Sequence, residues 1–146
     1  MYGKKTEISV GIFMIMGIAC LVYLSVNLGG IALFGTDSFV IDARFGSIEG
    51  LEEAASVEIA GVPVGKVKKI TLEDSSVALV QLEIKKGTQI TDDTIASIRT
   101  KGIIGDKFVK LSPGGSDDLL GDQDILMDTE SAISLEELVS KYMFEK

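Results

Sequence analysis

Hydrophobic residues are concentrated near the start of the chain, where residues 8–28 include no Asp, Glu, Lys or Arg. At about 1.5 Å per helical residue this stretch is about 31 Å long, close to the hydrocarbon thickness of a bilayer. It is longer than the roughly 7–15 residues of a signal-peptide core, and no clear small-residue cleavage site follows it. The pattern predicts a transmembrane helix over residues 8–28 that stays attached, with a cleaved signal peptide as the alternative.

Beyond residue 37 the apolar positions alternate with polar ones, which is the period of half-buried β-strands. The first such run, residues 38–45, places Phe39, Ile41, Ala43 and Phe45 on one face. Further strands are predicted at residues 57–59, 66–72 (with Val67, Ile70 and Leu72 inward), 77–84, 95–100, 108–111 and 125–126. Seven short strands separated by Gly, Pro, Asp and Ser are typical of a small all-β barrel or sandwich.

Helical periodicity returns only in residues 131–146. The apolar residues on one face are Leu135, Leu138, Val139, Tyr142 and Met143. Ser134 followed by Glu137 matches a capping box, and Ile133 and Phe144 make the helix apolar on a second side. Because a helix of this length is marginal alone in water, we expect it to pack either on its own β-domain or in a bundle with copies of itself.

These patterns divide the chain into segments. They are an N-terminus (1–7), a transmembrane helix (8–28), a glycine-containing linker (29–37), a β-domain (38–115), an acidic loop with a short strand (116–130) and an amphipathic helix (131–146). The acidic loop lacks the residue order of an EF-hand, so a solvated loop is favoured over a calcium site. No metal site is predicted.

Charge narrows the location and the chemistry. Lys4 and Lys5 precede the apolar stretch, whereas the first cation after it is Arg44, so the positive-inside rule places the N-terminus in the cytoplasm. The β-domain is then on the far side, the periplasm in a Gram-negative bacterium. The net charge of −8 argues against a nucleic-acid partner.

The chain contains no histidine, and its one cysteine is Cys20. A Ser-His-Asp or Cys-His site cannot be built without histidine, and a lone cysteine allows no intrachain disulfide. The sequence therefore favours a protein that is not an enzyme, with no catalytic residues and no cofactor.

One predicted turn is unusually apolar. Residues 102–105 read Gly102, Ile103, Ile104, Gly105 between polar neighbours, although turns normally carry polar side chains. One interpretation is an exposed tip that serves as the working surface. The alternative is that the isoleucines continue a buried strand, in which case one of them faces the core, because adjacent residues point to opposite faces.

Three segments together resemble the MCE ("mammalian cell entry") domain family. They read RFGSIEGL from Arg44, VEIAGVPVGKV from Val57 and SIRTKGIIGDK from Ser97. The family motif in the second segment comprises Gly61, Val62, Pro63, Val64, Gly65 and Val67, with a structural role. The resemblance covers essentially the whole chain. It is greatest to the single-domain, membrane-anchored subunit of a bacterial phospholipid transport system.

The resemblance implies a homohexameric ring of small β-barrels on the periplasmic face of the inner membrane. In such a ring Gly102, Ile103, Ile104 and Gly105 would form the pore loop, and the terminal helices would bundle. The implied partners are phospholipid, an ABC permease and ATPase, and a soluble periplasmic lipid carrier. The implied role is lipid transfer that maintains outer-membrane asymmetry. The alternative function is a membrane-anchored adhesion or scaffold module that binds a protein partner.

Overall fold

The structure is a computed structural model that describes residues 3–28 and 37–144. The chain divides into two units, Met1–Thr36 and Asp37–Lys146. The first unit contains helix α1, Lys4–Leu28, which begins four residues before the predicted span. Its apolar side chains are exposed, and it is long and apolar enough to cross a membrane. The predicted linker lies outside the described residues except for Asp37.

The second unit consists mainly of β-strands. The strands are β1 (Ser38–Phe45), β2 (Ser56–Ile59), β3 (Val62–Glu73), β4 (Val77–Lys85), β5 (Ile95–Thr100), β6 (Lys107–Ser112), β7 (Ile125–Leu126) and β8 (Asp128–Glu130). They form one sheet in the order β7-β1-β4-β3-β2-β6-β5-β8. The predicted all-β class is therefore confirmed, and every strand predicted from alternation is present.

The two edges of this sheet are brought together by a single short segment. Strand β7 pairs in parallel with β1, and β8 pairs in parallel with β5, with only Met127 between β7 and β8. The Thr129 hydroxyl also donates a hydrogen bond of 2.5 Å to the Arg44 carbonyl oxygen of β1. The sheet is consequently a nearly closed barrel. The prediction of seven strands was wrong by one, because the last predicted strand continues past Met127 as β8.

The barrel interior holds the hydrophobic core. Ile41, Ala43 and Phe45 of β1 are fully buried, as are their neighbours Val80 and Leu82 on β4. This arrangement follows from the alternation, which puts every second side chain of a strand on the same face. Leu72 is the exception, with 72% of its surface exposed. Its register partner is Ala78, next to the β3–β4 turn, so the hairpin extends here beyond the part that the core covers.

The terminal helix is shorter than predicted. Helix α2 spans Leu135–Phe144, and residues 145–146 lie outside the described part of the chain. Residues 131–134 do not join the helix because they bind the barrel in a non-helical conformation. The Ser47 N–H donates to the Ser131 hydroxyl (3.2 Å), and the Ala132 N–H donates to the Ser47 carbonyl (3.1 Å). Ser134 therefore occupies the N-cap position.

Candidate functional site

The apolar pair lies at the tip of the β5–β6 hairpin. Thr100 pairs with Lys107, and the Lys101 N–H donates a 3.0 Å hydrogen bond to the Asp106 carbonyl, which closes the loop. Gly102 has φ +71°, and a Cβ atom at Gly105 would collide with the Lys101 carbonyl oxygen. Both glycines are thus required by the backbone path. Their effect is to hold the two residues between them at the end of a defined loop.

Both isoleucines at this tip face solvent. Ile103 is 80% exposed and Ile104 is 97% exposed. The alternative that one of them faces the barrel core is therefore wrong, because the inward positions of this hairpin are Ile98 and Val109. Exposing two large apolar side chains to water is energetically unfavourable. The loop does not need them for its own shape, because backbone contacts order it. The pair therefore leaves an apolar surface on an ordered loop that the barrel does not cover.

The base of the tip is fastened to the barrel by Lys101. Its ammonium group lies 2.8 Å from Glu58 Oε1 on β2 and 5.6 Å from the centre of the Phe108 ring. The hydrogen bond from Lys101, followed by that from Ser56, holds the pKa of the Glu58 carboxyl below its ordinary value. The carboxylate side chain is only 12% exposed. The base of the tip is thus held against β2 by a charged contact, with the Lys101 ammonium lying over an aromatic ring of β6.

A groove of about 440 Å³ separates the tip from the start of α2. It is lined by Glu49, Gly50, Thr100, Ile103, Ile104, Gly105, Lys107, Ile133, Ser134 and Glu136. The Lys107 ammonium donates a 3.3 Å hydrogen bond to the Ile133 carbonyl, which ties the segment before the helix to the strand after the tip. Glu49 and Lys107 belong to the segments that carry the family resemblance, but no role was predicted for them or for Glu136. These residues are brought together by the path of the chain around the barrel.

The predicted bundle residues form an exposed apolar surface on α2. Leu138 and Val139 are 52% and 55% exposed, and Tyr142 and Met143 are 90% and 71% exposed. Leu135 is the first helical residue, and its side chain lies outside the described part of the structure. The barrel of the same chain therefore does not bury this face. The sequence left two packing partners open for this helix, its own β-domain and copies of the same helix. Packing on its own β-domain is not observed.

The family motif has a structural role. Ala60 and Gly61 both have positive φ and form the tight turn between β2 and β3. The β2–β3 register shifts between Val57 and Glu58, where Pro63 lies opposite Glu58, so the two strands pair through a bulge. A Cβ atom at Gly65 would collide with the Glu83 carbonyl of β4. Val62 and Val64 lie at or near the surface, and Val67 is buried in the core.

Aspartates in the acidic loop and in the loop between β4 and β5 stabilise the chain by accepting hydrogen bonds from backbone amides. Asp93 Oδ2 accepts hydrogen bonds from the N–H groups of Gly115 (2.8 Å) and Ser116 (3.0 Å). A hydrogen bond from Thr91, with these backbone contacts, holds the pKa of the Asp93 carboxyl below its ordinary value. Asp122 and Asp124 similarly accept from Val40 and Gly121. Within residues 3–28 and 37–144, no three His, Cys, Asp or Glu side chains are arranged to hold a metal ion.

Comparison with known proteins identifies relatives along nearly the entire chain. The family model described as "MlaD protein" matches residues 37–114. The intermembrane phospholipid transport system binding protein MlaD of Haemophilus influenzae is 32% identical, over 96% of this chain and 87% of the relative. The protein of the same name from Escherichia coli K12 is 34% identical, over 99% of this chain and 83% of the relative.

A solved structure supports the fold independently. One chain of the Acinetobacter MlaFEDB complex in an ATP-bound conformation superimposes with a TM-score of 0.73. The match covers 96% of this chain and 100% of that chain, at 23% sequence identity. At that identity the similarity concerns the fold.

Proposed function

Since the chain belongs to the MlaD family, we propose that it is the membrane-anchored, lipid-contacting subunit of an ABC-type phospholipid transport system. The relatives from Haemophilus and Escherichia are named as binding proteins of an intermembrane phospholipid transport system. The observation in the structure that best supports the proposal is the exposed pair Ile103 and Ile104 on an ordered loop. A subunit that binds acyl chains needs an apolar surface that its own fold does not bury.

Helix α1 would anchor the subunit in the inner membrane. Its side chains are exposed and its length matches a bilayer. Lys4 and Lys5 precede the apolar stretch and no cation follows it before Arg44, which supports a cytoplasmic N-terminus and a periplasmic barrel. In this orientation the barrel would lie between the inner membrane and a soluble periplasmic lipid carrier.

The tip would work in several copies, arranged as a homohexameric ring. Exposing an acyl chain to water costs about 0.8 kcal/mol per CH₂ group, so a two-tailed lipid needs a continuous dry path. One isoleucine pair covers a small part of such a path, whereas six pairs around an axis would form a hydrophobic pore. The uncovered apolar face of α2 supports association between copies, because a bundle of these helices would bury it.

The energy for directed transfer would come from partner subunits. An ABC permease and ATPase are the proposed partners, in keeping with the ATP-bound Acinetobacter complex, one chain of which shares this fold. We assign no catalytic step to this subunit, and no cofactor. Its contribution would be a passive conduit between the inner membrane and the carrier, and the physiological result would be maintenance of outer-membrane lipid asymmetry.

The test is the double substitution Ile103→Asp with Ile104→Asp. Two carboxylates at the tip would place charge in the lipid path, so we expect co-purified phospholipid to fall at least about tenfold and the outer-membrane barrier to fail. The matched control is Val62→Asp with Leu72→Asp, which adds the same charge at exposed apolar positions on β3. Native mass spectrometry of the extracted protein reports subunit number and bound lipid together.

The result that would overturn the proposal is a tip variant that assembles, binds normal amounts of phospholipid and preserves the barrier. That outcome would favour the adhesion or scaffold alternative, in which the exposed surfaces bind a protein partner. A six-subunit assembly that loses lipid only in the tip variant would support both the ring and the pore.

A further inference from the structure

The groove between the tip and α2 combines three kinds of chemistry. Its apolar walls are Ile103, Ile104 and Ile133. Its cation is Lys107, and two carboxylates, Glu49 and Glu136, also line it. Apolar walls alone would accommodate any acyl chain. The charged residues are therefore what can distinguish one lipid headgroup from another.

Lys107 has a fixed position and retains hydrogen-bonding capacity. Its side chain lies against Gly50, where an added Cβ atom would come 3.3 Å from Lys107 Cγ. The ammonium donates one hydrogen bond to the Ile133 carbonyl and has two further N–H donors. Among the ion pairs within residues 37–144, none involves Lys107. The cation is therefore available to a phosphate that enters the groove.

The carboxylates come from separate parts of the fold. Glu49 belongs to the loop between β1 and β2, and Glu136 lies in the first turn of α2, where the helix dipole stabilises a negative charge. Both residues are exposed. With one cation and two anions, the groove has an excess negative charge even when Lys107 binds a phosphate's negative oxygen.

We propose that this groove holds the headgroup of a zwitterionic, amine-bearing phospholipid as the lipid passes the tip. The acyl chains would contact the isoleucines, the phosphate would bind Lys107, and the ammonium of the headgroup would pair with Glu49 and Glu136. An anionic headgroup without an amine would satisfy Lys107 and leave both carboxylates facing a negative lipid. This inference rests on the proposed function, because it requires phospholipid to reach the tip.

The experiment measures headgroup preference in the full-length protein. The detergent-solubilised chain is equilibrated with mixed micelles containing equal amounts of phosphatidylethanolamine and phosphatidylglycerol with identical acyl chains. Bound lipids are then quantified by mass spectrometry after free lipid is removed. We expect about threefold enrichment of phosphatidylethanolamine in the unmodified protein, the size expected for exposed charge pairs.

Substitutions assign the preference to the groove. Glu49→Gln with Glu136→Gln should reduce the enrichment to about one, because phosphatidylethanolamine loses the partners of its ammonium group while phosphatidylglycerol does not. The matched control is Glu137→Gln, which removes a carboxylate from the same helical turn but not from the groove, and should keep the enrichment. Lys107→Met should lower the binding of both lipids, and Lys107→Arg should restore it.

The outcomes separate this inference from the proposed function. Any of three results would overturn the headgroup assignment. The unmodified protein could bind the two lipids equally, the enrichment could survive the loss of Glu49 and Glu136, or Glu137→Gln could abolish the enrichment to the same extent. The proposed function would stand in these cases, provided that lipid binding still depends on Ile103 and Ile104. A protein that binds neither lipid would overturn the proposed function, and the headgroup assignment with it.

Discussion

Two β-hairpins of the same barrel end in turns of opposite chemistry. The β3–β4 hairpin turns through Asp74 and Ser75, both with positive φ, and the Ser76 N–H donates to the Glu73 carbonyl at 3.3 Å. The β5–β6 hairpin turns through two glycines that bracket Ile103 and Ile104. The polar turn is what a hairpin exposed to water usually carries.

The difference shows that the barrel does not require an apolar turn. The polar turn closes the longer hairpin, whose strands make the more extensive pairing. At the other hairpin the same task is performed by Gly102, Gly105 and the Lys101–Asp106 backbone hydrogen bond, and the isoleucines take no part in it. Their presence is therefore to be explained by something outside the fold of one chain.

The largest expected effect separates buried from exposed isoleucine within the β5–β6 hairpin. Ile98 is 3% exposed and Ile104 is 97% exposed. Replacing Ile98 by Ala should lower the free energy of unfolding by about 3 kcal/mol, because it leaves a cavity in the core. Ile104→Ala should change it by less than about 0.5 kcal/mol. Urea unfolding of the detergent-solubilised chain gives both values. Similar losses of unfolding free energy in the two variants would show that Ile104 stabilises the fold as Ile98 does.

The next effect concerns the glycine that shapes the tip. In Gly105→Ala the new methyl group would collide with the Lys101 backbone, so the loop must rearrange at a cost of about 2 kcal/mol. Gly115→Ala is the control, since a Cβ atom there meets nothing within 4 Å. The free energy of unfolding of Gly115→Ala should stay within about 0.5 kcal/mol of that of the parent protein. Equal stability of the two variants would show that the tip backbone is adaptable.

A smaller effect tests the ion pair at the base of the tip. Lys101→Met removes the partner of a carboxylate that is 12% exposed, whereas Lys86→Met removes the partner of Asp37, which is 83% exposed. We expect the first substitution to reduce the midpoint of thermal unfolding and the second to leave it nearly unchanged. Equal midpoints at neutral pH would contradict the role assigned to Lys101.

The same pair predicts a pH dependence. The pKa of Glu58 is lower in the folded state, so its contribution to stability is present above the ordinary carboxyl pKa. The contribution is lost as the pH falls through the lowered folded-state pKa. The difference in thermal stability between the parent and Lys101→Met should therefore diminish in acid, and a difference that grows in acid would show that another group is responsible.

The smallest expected effect has the opposite sign and lies in the polar turn. Ser75 has φ +61°, a conformation that glycine adopts without strain. Ser75→Gly should therefore raise the free energy of unfolding by about 0.5 kcal/mol without altering bound phospholipid. Thermal unfolding and lipid mass spectrometry on one sample check both statements. A change in bound lipid would show that the two hairpin ends are functionally coupled.

Most of the barrel could be predicted because its strands are covered by core on one face and by water on the other. Alternation is then imposed by burial, and it placed Ile41, Ala43 and Phe45 on one face, which the core buries completely. Strand β8 gave no such signal because its sequence, Asp-Thr-Glu, is polar throughout. Its pairing depends on contacts made after folding, in which Glu130 accepts hydrogen bonds from Ser97 (2.6 Å) and Arg99 (2.7 Å).

The site could be predicted only in part, for a related reason. The tip isoleucines were identifiable because an apolar pair between glycines violates the ordinary composition of turns. The groove was not identifiable, since Glu49, Lys107 and Glu136 lie on three segments that meet only when the barrel closes. The capping box at Ser134 marked the true start of the terminal helix, but the segment bound at residue 131 was too early, because Ser131 and Ala132 are bound by Ser47, a residue 84 positions away from Ser131.

The seam formed by β7 and β8 has a consequence for biogenesis. Strand β1 begins the barrel, yet its second neighbour is supplied by residues 125–126, more than eighty positions later in the chain. Closing so long a loop is slow and costs conformational entropy, and the contacts that offset this cost form only when the final strand docks. Because synthesis runs from the N-terminus, the barrel would therefore remain an open sheet until residue 130 had emerged. During that interval the exposed edges of β1 and β5 would be the surfaces most in need of protection by a chaperone.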